Sequence, residues 1–454
     1  MGSGKISVWG DLLRFSPLYF WVCVAFAVLF FAQWYRTYRI TGWKIDYWNF
    51  NILLYVFIPF IFFYPVSASI LQITAVGKVW FNILDDKVET ALTISLFGFV
   101  SMLLGRLAFD RIGQYKASAL VGSLFGRLED ATYRNIMSGS AALLIWVLVV
   151  PLAGVVLSLA SGGNLAAIRT YFLENGSFRS LYNLLGSTYP LLPVYYWLRH
   201  QKEMSFWRWV ALFLMIGGTM VLGARSALAG VVINLYLFRT LARRGAISFS
   251  SAVPLFFALA IVSIVLGALR DGNDTVSAIL LFWHQIFYGS SLSDLRDFAW
   301  ALGAWDGHYW YGKTYLAGLL GFIPRALSDF REQWTFGVIM AELVGFSREE
   351  HAGIRPGIFG ESYLNFGLPG VFVIAWINGF LLRYADFQIK RRISEGRGVA
   401  SAYTAHIPYA ISSAFFITSG FWTVYVFLVL QLLATLLRKT LRAREPDTAH
   451  PTHA

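Results

Sequence analysis

The segment His351-Ala-Gly-Ile-Arg355-Pro-Gly-Ile-Phe-Gly-Glu361-Ser-Tyr363-Leu-Asn365-Phe-Gly-Leu-Pro-Gly370 brings together an imidazole, a guanidinium, a carboxylate and a carboxamide, with glycines between them. A histidine titrates near neutrality and suits a general base, so His351 is one candidate for proton transfer. Proline favours the first turn of a helix. If a helix starts near Pro356, Glu361, Asn365 and Gly357 share one face, and Glu361 lies a turn or more inside it. An isolated carboxylate at that depth needs a partner or a proton. A structural pair with an arginine explains Glu361 equally well, and a solvated loop histidine is the plain alternative for His351.

Guanidinium groups form the second set. Arg225 follows Gly223-Ala224 between two apolar runs. There it is either a forked phosphate clamp or a side chain reaching up to headgroups. Arg325 ends Phe322-Ile-Pro-Arg325, and Arg169 and Arg179 share another segment between apolar runs; a solvated loop surface is the plain reading of all three. Asp85-Asp86-Lys87-Val-Glu89, expected in the first external loop, is either an acidic site or an ordinary polar helix start. His284 and His308 add no metal-like spacing. The lone Cys23 excludes an intramolecular disulfide and a cysteine metal site.

The elements that must position these groups are membrane helices. Of the 454 residues, 57% are hydrophobic and 14% charged, which points to lipid as the solvent. The net charge of +12 lies in short clusters between apolar runs, which argues for topology signals and against a nucleic-acid face. About eleven spans are expected, over 17–35, 48–69, 90–109, 141–160, 182–198, 206–223, 226–238, 252–269, 357–382, 400–417 and 420–437. The seventh is short, and kinks are expected at Pro59, Pro65, Pro190 and Pro193. Most Lys and Arg fall in alternate loops and in the 438–454 tail. This sets the C-terminus in the cytoplasm and the N-terminus outside.

The expected fold is therefore all-α and polytopic, with helices 1 to 8 in residues 1–269, a large external loop over 270–356, and helices 9 to 11 in 357–437. The loop is too aromatic for a solvated tether. Helical spacing in Leu292–Leu302 and Phe336–Val344 predicts short amphipathic helices, and a folded cap over a cavity follows.

With these features the chain resembles the oligosaccharide repeat-unit polymerases of bacterial surface polysaccharides, the Wzy group, including the enterobacterial common antigen polymerases. The resemblance rests on the pattern of spans and on three motifs. They are Gly223-Ala-Arg225-Ser-Ala-Leu, Tyr315-Leu-Ala-Gly-Leu-Leu-Gly-Phe-Ile-Pro-Arg325, and His351 through Gly370. The Arg-then-Gly spacing of some members is absent: Ser180 stands eleven residues after Arg169, and Phe366 eleven after Arg355.

What the resemblance implies is metal-independent, cofactor-free glycosyl transfer on the periplasmic face of a bacterial inner membrane, with polyprenyl-pyrophosphate-linked glycans as substrates. It assigns Arg225, Arg325 and Arg355 to the pyrophosphate, His351 to the base with Glu361 as the alternative, and Arg169, Tyr363 and Asn365 to sugar or phosphate contacts. Membrane lipids, a chain-length regulator and a flippase are the implied partners. An O-antigen ligase shares this architecture. A flippase or transporter is the rival of another class, disfavoured by mid-span positions almost free of charge.

Overall fold

The computed structural model describes residues 17–41, 44–62, 75–148, 184–221, 225–248, 250–255, 257–258, 261, 294–323, 327–343, 355–417 and 421–443. Within these the chain is overwhelmingly helical. The elements are α1 (Pro17–Thr41), β1 (Lys44–Ile45), α2 (Tyr47–Ile52), a π-helical stretch (Leu53–Phe62), α3 (Ala75–Ile112) and α4 (Gln114–Ser138). They continue with α5 (Leu191–His200), α6 (Phe206–Val221), α7 (Arg225–Arg244), β2 (Ile247–Ser248), α8 (Asp294–Ala304), α9 (Lys313–Leu319), α10 (Asp329–Trp334) and α11 (Phe336–Leu343). The last are α12 (Gly357–Ser394), α13 (Val399–Thr404), α14 (Ile407–Ile417) and α15 (Phe421–Ala443). Shorter helical pieces occupy 140–148, 184–188 and 250–255.

Four helical segments among the described residues are long and apolar enough to cross a membrane: Phe20–Arg39, Lys87–Ile112, Gly357–Ser394 and Phe421–Leu441. Tyr47–Phe60 and Phe206–Thr219 are apolar but shorter. The remaining expected spans differ in instructive ways. The helix carrying the seventh, α7, runs 20 residues, but only because its polar last turns ending in Arg243 and Arg244 extend it beyond the short apolar run. The tenth is broken between α13 and α14. Pro59 sits inside the π-helical stretch, whose wider turns accommodate a residue with no N–H. Most of the expected span 252–269 and the second half of 141–160 lie outside the described residues, as does Pro65.

The acidic run Asp85 to Glu89 also departs from expectation. It is neither a loop nor a helix start, since the helix already begins at Ala75 and passes through it. Residues 383–394, expected as a basic cytoplasmic loop, continue α12 as helix. Ion pairing explains that: Arg383 bonds Asp110 and Asp386, Lys390 bonds Asp386 and Asp46, and Arg392 pairs with Glu129.

The core is built on the crossing of α3 and α12. Gly105 lies against the backbone of Trp376 and Phe380, and Gly379 against that of Met102, so neither position has room for a Cβ. Small residues at a crossing let two backbones touch, which is the packing available to helices in lipid. The helices α8 and α1 pack on α3, and α14 packs on α12. Both expected amphipathic helices of the 270–356 loop are present, as α8 and α11. The helices α9 and α10 lie between them and were not expected.

Candidate functional site

Pro356 caps α12 and Gly357 opens it, so the helix starts where the proline placed it. The helix then breaks at Gly367, which has φ 65° and ψ −155°, a conformation open to glycine and strained for any other residue. Pro369 has no N–H to return to the carbonyl of Asn365, which would otherwise be orphaned. Two backbone donors from the residues just before α9 fill the gap. Trp310 N–H donates to the Leu364 carbonyl at 3.0 Å, and Tyr311 N–H donates to the Asn365 carbonyl at 2.9 Å.

Reaching those carbonyls forces Tyr311 to φ 47°, the single positive φ outside glycine among the described residues. The ring that results is 76% exposed. It meets Tyr309 edge-on at 6.4 Å, and Tyr309 lies 5.2 Å from Trp305 and 6.1 Å from Tyr363. Trp305 is fixed by its indole N–H, which donates to the His308 carbonyl at 2.8 Å. Trp305, Tyr309, Tyr311 and Tyr363 thus form an aromatic ledge beside the break. Apolar faces with polar rims of this kind suit the mixed surface of a sugar.

On the face of α12 turned away from Tyr363 lies a buried polar triad between α9 and α12. The Thr314 hydroxyl donates to Glu361 Oε1 at 3.0 Å and accepts from Asn365 Nδ2 at 2.8 Å. Asn365 Nδ2 also donates to the Glu361 carbonyl at 2.9 Å. All three residues have no exposed surface. Asn365 Oδ1 has no hydrogen-bond partner among the described residues, and a buried acceptor left that way costs about 1–3 kcal/mol.

At the start of α12, Asp297 Oδ2 accepts the Arg355 backbone N–H at 3.0 Å, and its Oδ1 accepts from Arg296 Nη2 at 2.9 Å. Asp297 is wholly buried, whereas Arg355 is exposed. Acidic residues in the first turn of α8 also complement the helix dipole there. The neighbouring Asp294 carboxyl is pushed up to about 7, first by burial and then by Asp297, against the lowering pull of Arg355 and Arg296.

Of the candidates, Glu361, Tyr363 and Asn365 come together on one helix, with Arg355 just before its first turn. Glu361 and Asn365 sit in the buried triad, and Tyr363 belongs to the ledge. Arg225 opens α7, which packs on α5, α6 and α13. His351, Arg169 and Arg325 lie outside the described residues. Reading the sequence missed Thr314, Tyr311, Asp294 and Asp297. Only the two aspartates had a signal, as acidic residues at the start of an amphipathic stretch.

No described protein family, curated protein or solved structure matches the chain.

Proposed function

We propose that the chain is a membrane glycosyltransferase that polymerises polyprenyl-pyrophosphate-linked oligosaccharide repeat units into a surface polysaccharide at the periplasmic face of a bacterial inner membrane. The observation that carries this reading is the broken α12, which contributes Glu361 and Asn365 to a buried triad with Thr314 on one face and Tyr363 to a partly exposed aromatic ledge on another. A discontinuous helix at membrane depth is tolerated where it lines a cavity or is buried in protein, and such breaks mark binding sites. In the same reading the chain spans the membrane about eleven times, with residues 270–356 outside, the N-terminus periplasmic and the C-terminus cytoplasmic.

In the reaction, an acceptor sugar hydroxyl attacks the anomeric carbon of the growing glycan. The new glycosidic C–O bond forms as the C–O bond to pyrophosphate breaks, and the electron pair leaves on the polyprenyl pyrophosphate. The acceptor's proton passes to His351, with Glu361 as the alternative base. Arg355, Arg225 and Arg325 stabilise the charge growing on the leaving group. The exposed Arg355 guanidinium at the mouth of α12 suits that task. The burial of Glu361 suits a positioning role through Thr314. Asn365 and Tyr363 are read as sugar contacts, with Arg169 beside them.

The test is the glycan profile of a deletion strain together with its lipid-linked intermediates. Loss of the polymer ladder with accumulation of lipid-linked single repeats is the expected result. Accumulation of lipid-linked polymer indicates a ligase, and an unchanged profile overturns both. In complemented strains, His351→Ala and Arg355→Ala are each expected to cut polymer yield at least ten-fold; normal yield from either variant removes that residue from the mechanism.

A further inference from the structure

At the end of the bundle formed by the last turns of α5 and α7 and the first turn of α6, the described residues enclose a cavity of about 270 Å³. Trp197, Gln201, Trp209, Arg239 and Arg243 line it. Arg239 and Arg243 are four residues apart on α7 and so project from one face of the helix. The Arg239 guanidinium carbon lies 5.7 Å from the ring centroid of Trp209. Neither arginine has an acidic partner among the described residues. The adjacent Arg208 does, since its Nη1 contacts Glu203 Oε2 at 3.1 Å. Lys202 and Arg244, exposed at the same end of the bundle, do not line it.

Beside the cavity, α6 turns Phe206, Trp207, Phe213 and Leu214 outward, each at least 65% exposed. Phe206–Thr219 is an apolar stretch with no soluble explanation for that surface. Aromatic residues at a helix end mark the headgroup level, and the aliphatic and aromatic residues below it mark the hydrocarbon.

We propose that this cavity binds the headgroup of an anionic glycerophospholipid, with the phosphate between Arg239 and Arg243 and the acyl chains along the outward face of α6. Three features converge on that ligand. Two unpaired forked donors fit a phosphodiester. The volume is below the ~300–1,000 Å³ that encloses a whole drug-sized ligand, so it suits a headgroup whose remainder lies outside. The exposed apolar face starts where the cavity opens, giving the chains a path. A basic pocket between helices at a membrane surface is a recurrent lipid site. This proposal does not depend on the glycosyl-transfer reading.

The test uses the full chain in nanodiscs of 1-palmitoyl-2-oleoyl-phosphatidylcholine doped with the corresponding phosphatidylglycerol, with retained lipid counted by native mass spectrometry after release. Preferential retention of phosphatidylglycerol is expected, and the Arg239→Ala/Arg243→Ala variant should lose at least ten-fold of that preference. Arg244→Ala, which removes an equal charge next door, should leave it unchanged; an equal loss there overturns the site in favour of general surface charge. Displacement by millimolar sn-glycerol 3-phosphate would also overturn it, since that outcome identifies a site for soluble phosphates. On the unmodified protein, a photoreactive phosphatidylglycerol should crosslink within 197–214 and 239–243. Crosslinks confined to other segments reject the proposal even if the double variant fails to fold.

Discussion

The two halves of α12 carry buried polar networks of opposite character. Beyond the break, Asp386 Oδ2 accepts from Arg383 at 2.6 Å and Lys390 at 2.9 Å, Lys390 reaches Asp46 at 2.9 Å, and Arg392 pairs with Glu129, which also accepts from Tyr384 at 2.7 Å. With Arg383 also on Asp110, these pairs tie α3, α4 and the residue capping α2 to this half of α12, and each of these charges has its counter-charge. Before the break, Glu361 is held by one hydroxyl and one amide, and Asn365 retains an acceptor with no partner. Compensated charge at the first end serves architecture. Both ends carry buried polar atoms with no hydrogen-bond partner among the described residues, Asn365 Oδ1 at the second and Asp386 Oδ1 and Gln388 Oε1 at the first, so what separates them is the density of ion pairs.

The comparison breaks most easily at Arg392. Its guanidinium also donates to the Ser401 carbonyl at 2.8 Å and to Thr404 Oγ1 at 3.0 Å, while Glu129 is 2% exposed. Arg392→Ala strands a buried carboxylate and should destabilise the protein by about 3–5 kcal/mol, read as an earlier thermal unfolding transition in detergent. A well-packed apolar replacement of both partners, Glu129→Leu with Arg392→Met, should recover most of that loss. If the double variant is as unstable as the single, the pair has a role beyond charge compensation.

Gly367→Ala is expected to come next, at about 1–3 kcal/mol, because ψ −155° at φ 65° is a glycine conformation and a Cβ there would sit 3.0 Å from the Tyr309 hydroxyl. Under the proposed function this variant also loses polymer yield, since it displaces the ledge. Pro369→Ala restores an N–H at the break and is expected to be milder; if it alone straightens the helix, as judged by loss of a Tyr311-dependent crosslink to α12, the cap does not hold the break open.

Thr314→Val should cost about 1–2 kcal/mol by removing the hydroxyl that bridges Glu361 and Asn365, and Thr314→Ser should restore it. Thermal shifts of the two variants, measured side by side, sharpen the contrast with the charged end. Equal stability of Thr314→Val and the parent would make the triad incidental.

How much of this was legible depends on how far apart the partners lie in the chain. The start of α12 at Pro356 follows from proline's own geometry and was readable. Its break was not, although Gly367 and Pro369 stand in plain view, because a proline in a membrane helix commonly stays helical. What decides the matter is Trp310 and Tyr311, more than fifty residues earlier, whose N–H groups take the freed carbonyls. Thr314 gave no signal for the same reason: its partners are 47 and 51 residues away. At the other end, Arg383, Lys390 and Arg392 were read as topology signals in a loop. Their pairing with Asp46, Asp110 and Glu129 makes that stretch helix, and no local pattern shows it.

A pH dependence is also expected at the entry to α12. Asp294, with its carboxyl raised to about 7 against an ordinary value of 3.8, holds its proton in the folded state over a range where the unfolded chain has lost it. The folded state therefore binds more protons between those values, so stability falls as pH rises from about 4 to about 7 and levels off above. Asp294→Asn should flatten that slope and be relatively more stable at pH 7 than at pH 4, compared with the parent in paired thermal scans. The charged end has every acid matched to a base, and Asp386→Asn there should instead lower stability across the same range. A parallel response of the two variants to pH would erase the distinction between the two halves of α12, because it would mean that Asp294 is as well compensated by Arg355 and Arg296 as Asp386 is by Arg383 and Lys390.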